Sequence, residues 1–323
     1  MLRLISIALT LLLWSPASLM AAEAYPTRPI RIIVVLPAGG GLDVVARLVA
    51  AKMADEFGQS VIVENRSGGL GVIGTQALAN ARPDGYTIGM VFSPHVVNPF
   101  VLKLPYDTVK DFDPITAVIL VPSIMVTHPS LGVSNLKELI SLVKKQPGKL
   151  TYAVAGLLSN GHISMEMLRI AADLNMTQVN YRGGTDALVA VLSGEAQLVI
   201  MAPPIVLPHI RGGRLKALAT TGAMRSMKVK DMENIPTFME SGFPDLETTE
   251  WYALFAPAGT PQAIISKLSS ATGRALEKED VARKLADLVM EPAVKGPEDL
   301  RASVNSQMAK MKALSQRVKL IAE

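Results

Sequence analysis

A glycine-rich turn between an apolar strand and a helix is the stretch of this chain whose residue types best suit chemistry. Ile32–Leu36 is a continuous β-branched and aliphatic run within the predicted strand Ile30–Leu36, typical of a strand buried on both faces of a parallel sheet. Pro37 ends the run, and Gly39–Gly41 lead into apolar residues at helical spacing over Asp43–Phe57. Unpaired N–H groups at the start of such a helix bind anions without a cationic side chain. The sequence therefore predicts an anion-binding turn here.

Two nucleotide-binding motifs can be compared with the glycine-rich stretches. A phosphate-binding Walker loop needs Lys and then Ser or Thr after its last glycine, but Gly41 is followed by Leu42 and Asp43. A dinucleotide fingerprint also needs an acidic residue about 20 positions on, and the window Thr87–Met90 contains none. We therefore interpret the G-x-G-x-x-G spacing as structural and expect no cofactor; that spacing is formed by Gly69, Gly71 and Gly74.

Each candidate motif for catalysis or metal binding lacks a residue or a spacing that the chemistry requires. The chain has no cysteine, and Gly156–Gly161 is one residue longer than the G-x-S-x-G motif of serine hydrolases. His162 and Glu166 lie on one helix face, but no third metal ligand is indicated. We read His209, beside a proline, as a structural histidine. We expect neither catalytic residues nor a metal site.

Composition and the N-terminus indicate an exported globular protein. Met1–Ala24 has the pattern of a secretory signal: Arg3, an apolar core over Leu4–Trp14, and Ala22-Glu23-Ala24 as the cleavage site. An exported chain without cysteine, and so without disulfides, is typical of a bacterial periplasm. The sequence pI is about 9.2, yet lysine and arginine are scattered and aromatic residues make up only 5%. We therefore expect no nucleic-acid partner.

The mature chain alternates predicted strands and helices, which is typical of parallel βαβ units. The length of 323 residues suits two such domains. Ile115–Val126 is predicted as one long strand, after which the alternation restarts. The other predicted strands are Val61–Glu64, Thr87–Phe92, Leu150–Ala155, Met176–Tyr181 and Gln197–Ala202, and the other helices are Gly74–Ala81, Asn135–Gln146 and Ile163–Leu174.

The second half repeats the strand–turn–helix arrangement of the first. Gly156–His162 leads into one helix, and Arg182–Asp186 opens another. Two α/β lobes that each present helix N-termini would face a shared cleft.

A set of short motifs, in order along the mature chain, resembles the substrate-binding proteins of tripartite tricarboxylate transporters, also called the Bug family. The motifs cover essentially the whole mature chain. They are Pro29–Val34, Pro37–Gly41, Glu64–Arg66, Pro83–Thr87, Leu104–Asp107, Lys110–Phe112, Pro147–Leu150, Leu207–Ile210 and Phe255–Pro261.

This resemblance implies an α/β periplasmic-binding-protein fold of the type II kind, with two lobes joined by two crossing hinge segments. Lobe 1 would comprise residues 25–122 and 250–323, and lobe 2 residues 123–249. The crossings would fall near Val118–Met125 and Thr248–Leu254. The C-terminal helix, with Leu300, Val304, Met308 and Met311 at helical spacing, would pack on the first lobe.

The resemblance also implies that turns from both lobes hold a ligand carboxylate through backbone N–H groups, hydroxyls and ordered water. The positions that match the family's turns are Ala38, Gly39 and Gly40 in the first turn, Ser93 and His95 in the second, Ser159 and His162 in the third, and Gly183, Gly184 and Thr185 in the fourth.

Two departures from the family pattern bear on the ligand. Gly161 stands where the family commonly has Gln, and Met201 where it often has Asp. Met201 cannot pair with a ligand ammonium, and Leu157 and Leu158 follow Gly156 in the third turn. We therefore expect a carboxylate with an apolar or aromatic body rather than an amino acid. The alternative is that these three apolar side chains pack in the core, and Trp251 is likewise either a ligand-stacking platform or hinge packing.

The sequence favours a monomeric binding protein that closes around a small organic acid and delivers it to membrane components of a tripartite transporter. A subunit that reports to a membrane sensor kinase would use the same cleft. An exported α/β enzyme is a more distant alternative, because no nucleophile–base pair is indicated.

Overall fold

The computed structural model describes residues 25–226 and 229–318, so the predicted signal segment Met1–Ala24 lies outside it. No helix in these ranges is long and apolar enough to cross a membrane. Strands β1–β11 are Ile30–Val34, Val61–Asn65, Thr87–Phe92, Phe112–Val121, Ile124–Thr127, Thr151–Val154, Thr177–Asn180, Leu198–Met201, Lys216–Thr220, Glu250–Pro257 and Glu291–Lys295. Helices α1–α10 are Gly41–Phe57, Val72–Ala79, Pro94–Val97, Leu136–Lys145, Asn160–Ala172, Gly184–Leu192, Pro203–Arg211, Gln262–Leu276, Glu279–Asp287 and Pro297–Ser315.

The strands form two separate sheets. The first has the order β11-β4-β10-β3-β1-β2, and the second has the order β7-β6-β8-β5-β9. In each sheet, three neighbouring strands are parallel and the remaining pairings are antiparallel. The carboxyl ends of β1, β2, β6 and β7 lead into glycine-containing turns.

The predicted strands and helices are confirmed to within a few residues, with one exception. Ile115–Val126 is wrong as a single strand, because β4 ends at Val121 in the first sheet and β5 begins at Ile124 in the second. Pro122 has no N–H with which to extend the ladder. We call Pro122–Ser123 the first crossing. Residues 221–226 and 229–249, through which the chain returns to the first sheet, are the second crossing.

Helix α10 packs on the first sheet, as the sequence predicted. Leu300, Val304 and Met311 are buried in the same apolar core as β1, β3, β4 and β10. The indole N–H of Trp251 donates to Gln307 Oε1 at 2.8 Å, which fixes α10 against β10. The last helix of the chain therefore forms part of the lobe that the first strands build.

Close packing explains the misleading G-x-G-x-x-G spacing. A Cβ on Gly74 would lie 2.5 Å from the Arg66 carbonyl oxygen and 2.9 Å from Val35 Cγ1. A Cβ on Gly71, whose φ is +89°, would lie 3.2 Å from Phe92 and Val35. These glycines let α2 approach the strands, which is a packing role.

Gly161 in α5 is under the tightest constraint of this kind. A Cβ there would lie 2.2 Å from the Ile200 carbonyl oxygen of β8, so even alanine forces the helix away from the sheet. We predict that Gly161→Ala lowers the free energy of unfolding by roughly 2 kcal/mol or more, the cost of overpacking a rigid contact. Urea unfolding measures this change.

Gly183→Ala is the matched control, since no atom lies within 4 Å of its Cβ position and its φ of 173° is extended. This variant should stay within about 0.5 kcal/mol of the wild type. Equal unfolding midpoints for the two variants would contradict the role given to Gly161.

Candidate functional site

The first glycine turn presents helix donors without a side-chain cap. Gly40 is the N-cap of α1, with φ −77° and ψ 168°, and no side chain bonds to the first-turn amides. Gly39 has a φ of +84°, which favours glycine. The N–H groups of residues 40–42 make no hydrogen bond within the described chain. They are free to bind an anion.

The Gly39 N–H, in contrast, already has an anionic partner from the chain itself. It donates to Asp43 Oδ2 at 2.9 Å. Asp43 is buried and also accepts from Arg47 Nε at 3.0 Å and from Asn65 Nδ2 at 2.9 Å. Burial opposes ionisation, but these hydrogen bonds outweigh it and hold the pKa of Asp43 below its usual range. Asp43 therefore stabilises the turn. The Gly39 N–H, which was predicted to contact the ligand, is hydrogen-bonded to Asp43 instead.

The fourth turn is likewise uncapped. Gly183 is the N-cap of α6, and no side chain bonds to the first-turn amides. Thr185 is exposed, whereas Met201 is buried with its Cε 3.1 Å from the Cβ position of Gly184. Ile205 Cδ1 lies 4.0 Å from the same position. The α6 N-terminus thus combines free amides with an apolar flank.

The third turn satisfies several of its donors within the chain. Ser159 caps α5, because its Oγ accepts from the His162 N–H at 3.3 Å. His162 Nδ1 accepts from the Leu158 N–H at 3.1 Å and so holds that residue at its unusual φ of +63°. Burial lowers the pKa of His162, which suits a neutral ring that accepts at Nδ1. His162 is therefore a positioning group for the turn, while Leu157 beside Gly156 is 39% exposed.

Helix α5 is hydrogen-bonded to both crossings. Asn160 Nδ2 donates to Ser123 Oγ at 3.1 Å in the first crossing. The Ser164 and Thr248 hydroxyls lie 2.5 Å apart in the second. The start of α5 therefore moves with the connection between the two sheets.

Two of the predicted site residues are packed in the core. His95 is only 3% exposed, with the rings of Phe112 and Phe255 at centroid distances of 5.2 and 5.3 Å. Neither of its ring nitrogens has a hydrogen-bond partner in the described chain. Trp251 is also 3% exposed and bonds to Gln307, so of the two alternatives for this residue the packing role is the one observed.

A cavity of about 270 Å³ lies where the two sheets, the second crossing and α10 meet, and we call it the hinge cavity. Of the predicted site residues, Ser93 and Ser159 line it, and the glycines of the first and fourth turns do not. Its apolar wall is Phe92, Pro94, Val96, Val97, Leu158, Ile163, Met167 and Met311. Its polar wall is Ser93, Ser159, Asn160, Glu247, Thr248, Thr249, Glu250, Gln307 and Lys310.

Sequence reasoning missed the charged residues of this cavity. It excluded a ligand ammonium because Met201 offers no acidic partner, but Glu247 and Glu250 line the hinge cavity and could supply one. The absence of an acidic residue at position 201 therefore does not exclude a ligand ammonium from the hinge cavity. A signal was available, because Glu250 begins an otherwise apolar strand at the predicted crossing.

Sequence comparison connects this architecture to known proteins. The profile of the "Tripartite tricarboxylate transporter family receptor" matches residues 45–320. Protein BugT of Bordetella pertussis is 35% identical over 295 residues, which cover 90% of each chain.

Solved structures confirm the predicted two-lobe periplasmic-binding-protein fold. An R. palustris protein with adipate is 30% identical, with a TM-score of 0.69 over 90% of this chain and 97% of that one. MatC from Rhodopseudomonas palustris with bound malate is also 30% identical, with a TM-score of 0.67 over 90% and 100%. A Polaromonas TctC solute binding protein without ligand is 25% identical, yet its TM-score is 0.83 over 91% and 100%.

The buried, unpartnered His95 makes stability depend on pH. Burial lowers its pKa from 6.5 to about 4, so the unfolded chain takes up a proton first as the pH falls. We predict that this group alone costs the folded state roughly 3 kcal/mol at pH 4 and almost nothing at pH 7.

Urea unfolding of the wild type and of His95→Phe at both pH values measures this effect. All other groups titrate alike in the two proteins, so the change in their stability difference between pH 7 and pH 4 isolates His95. Parallel pH profiles would show that the ring is not held neutral.

Proposed function

The chain belongs to the tripartite tricarboxylate transporter receptor family, and we propose that it captures a small organic carboxylate between its lobes and delivers it to membrane components of a tripartite transporter. As a solute-binding receptor, it is not an enzyme. The proposal includes export to the periplasm through the signal segment Met1–Ala24 and function as a monomer.

The proposed lobes comprise residues 25–122 with 250–323, and residues 123–249. Supporting this division, the first sheet takes its strands from both ends of the chain and the second from the middle. The short first crossing and the return at Glu250 lie at the proposed boundaries.

One observation carries the choice of a carboxylate. Helices α1 and α6, from different sheets, both begin at a glycine without a side-chain cap, whereas Ser159 caps α5. An anion at the two glycine turns would satisfy main-chain donors that otherwise require water. Adipate in one relative and malate in another are both dicarboxylates, which agrees with ligands of this class.

An apolar body for this ligand is supported by the side chains near the turns. Met201 and Ile205 flank the α6 N-terminus, and Leu157 is 39% exposed beside the third turn. Methylene groups or an aromatic ring would gain about 25 cal/mol per Å² of apolar surface removed from water there. Closure would follow if the ligand binds the closed arrangement more tightly than the open one.

The Gly40 amide offers a direct test of main-chain recognition. Gly40→Pro removes the N–H at a φ of −77°, which proline can adopt, while Gly40→Ala keeps it and meets only Pro37 O at 3.6 Å. We expect Gly40→Pro to weaken carboxylate binding by roughly 10- to 100-fold, the loss of one charge-assisted hydrogen bond, and Gly40→Ala to bind like the wild type.

Calorimetric titration with a panel of aliphatic dicarboxylates and aromatic acids measures this difference. Mass spectrometry of molecules that co-purify with the wild type identifies further acids for the panel. The proposal would be abandoned if no carboxylate binds, or if Gly40→Pro retains wild-type affinity while folded.

A further inference from the structure

The hinge cavity is lined by two acidic residues, Glu247 and Glu250, and by one basic residue, Lys310. Glu250 is the first residue of β10, immediately after the second crossing. Lys310 enters from α10. Within residues 25–226 and 229–318, neither side chain lies in an ion pair. They line one cavity without neutralising each other.

Glu250 is partly buried and has no hydrogen-bond donor from the described chain. Burial raises its pKa, and no cation lies near enough to offset that effect. A carboxylate removed from water without a partner is unfavourable, and a donor or cation from a ligand would relieve this cost.

The wall around these charges is fixed in place. The Trp251–Gln307 hydrogen bond holds α10 against β10, and Gln307 Nε2 donates to Ser303 Oγ at 3.2 Å. The space between the charges is lined by apolar side chains of both lobes, including Val96, Ile163 and Met311. Its volume of about 270 Å³ is at the lower end for ligand sites, so the occupant must be small.

We propose that the hinge cavity is a second ligand site, which binds a small zwitterion with its ammonium at Glu250 and its carboxylate at Lys310. A short methylene chain joins the two charges and packs on the apolar wall. This site goes beyond the carboxylate site at the first and fourth turns and shares none of their glycines, although Ser93 and Ser159 of the second and third turns line it. Because it touches both lobes and the second crossing, an occupant that prefers one lobe arrangement would shift the equilibrium between open and closed forms.

Matched probes of one chain length test the proposal: 5-aminopentanoate, pentanoate and pentylamine, with the aminoalkanoates of three, four and six carbons as a length series. Trp251 reports binding, since the only other tryptophan, Trp14, is in the predicted signal segment. Titration of the mature chain should show an aminoalkanoate binding at least tenfold more tightly than the acid or the amine of the same length.

Variants assign each charge to its end of the ligand. Glu250→Gln keeps the shape of the side chain and should reduce the affinity for 5-aminopentanoate at least tenfold, to the affinity that the wild type has for pentanoate. Lys310→Gln should reduce the affinity for 5-aminopentanoate to the affinity that the wild type has for pentylamine. Lys312→Gln, an exposed position on the same helix, is the control and should bind like the wild type.

Three outcomes would overturn the proposal: no aminoalkanoate binds, pentanoate binds as tightly as 5-aminopentanoate, or Glu250→Gln binds the zwitterion as the wild type does. The last result would mean that a neutral donor suffices at this position. Melting temperatures verify that each variant is folded. If Glu250→Gln does not fold, the loss of affinity in Lys310→Gln still tests the proposal. Gly40→Pro separates the two sites, because it should weaken only the carboxylate that binds at the glycine turns.

Discussion

The hydrogen bonds between the two crossings are the constraint on which the rest of the molecule depends. The Ser123 N–H donates to Thr221 Oγ1 at 2.8 Å, and the Thr221 N–H donates back to the Ser123 carbonyl at 2.9 Å. The Thr248 N–H donates to the Thr221 carbonyl at 3.2 Å. Two chain segments that would otherwise move separately therefore form one connection. Helix α5 is bonded to Ser123 and Thr248 of this connection, which links the third turn to both crossings.

The proposed carboxylate binding depends on helix starts that lack a side-chain cap, at Gly40 for α1 and at Gly183 for α6. A serine or aspartate side chain at a helix start accepts from one of the first-turn N–H groups and so leaves fewer donors for a ligand. Here Ser159 does so for α5, while glycines begin α1 and α6. Asp43 takes only one amide of the first turn and leaves the neighbouring ones available. In the proposed site, recognition would therefore rest on backbone groups at the carboxyl ends of the sheets.

The histidines of the turns contribute to shape rather than to charge. His162 is buried and accepts from the Leu158 N–H, which keeps a non-glycine residue in a left-handed conformation. His95 lies among aromatic rings with no hydrogen-bond partner in the described chain. The charged residues that line the hinge cavity are Glu247 from the second crossing, Glu250 from the start of β10 and Lys310 from α10.

The sequence by itself determined the elements, the turns and the family. Local patterns are sufficient to predict these features. An apolar run predicts β1, and helical spacing predicts α1. Asn135 marks the start of α4, because its side chain accepts a hydrogen bond from the Glu138 N–H. Sequence reasoning missed the break between β4 and β5, because an apolar run looks the same whether or not it changes sheets. Only the tertiary structure decided that Asp43 binds the Gly39 amide, that His95 is enclosed, and that Lys310 shares a cavity with Glu250. The physical reason is that these contacts depend on how α10 and the two crossings pack, and residue spacing along the chain contains no information about packing between distant segments.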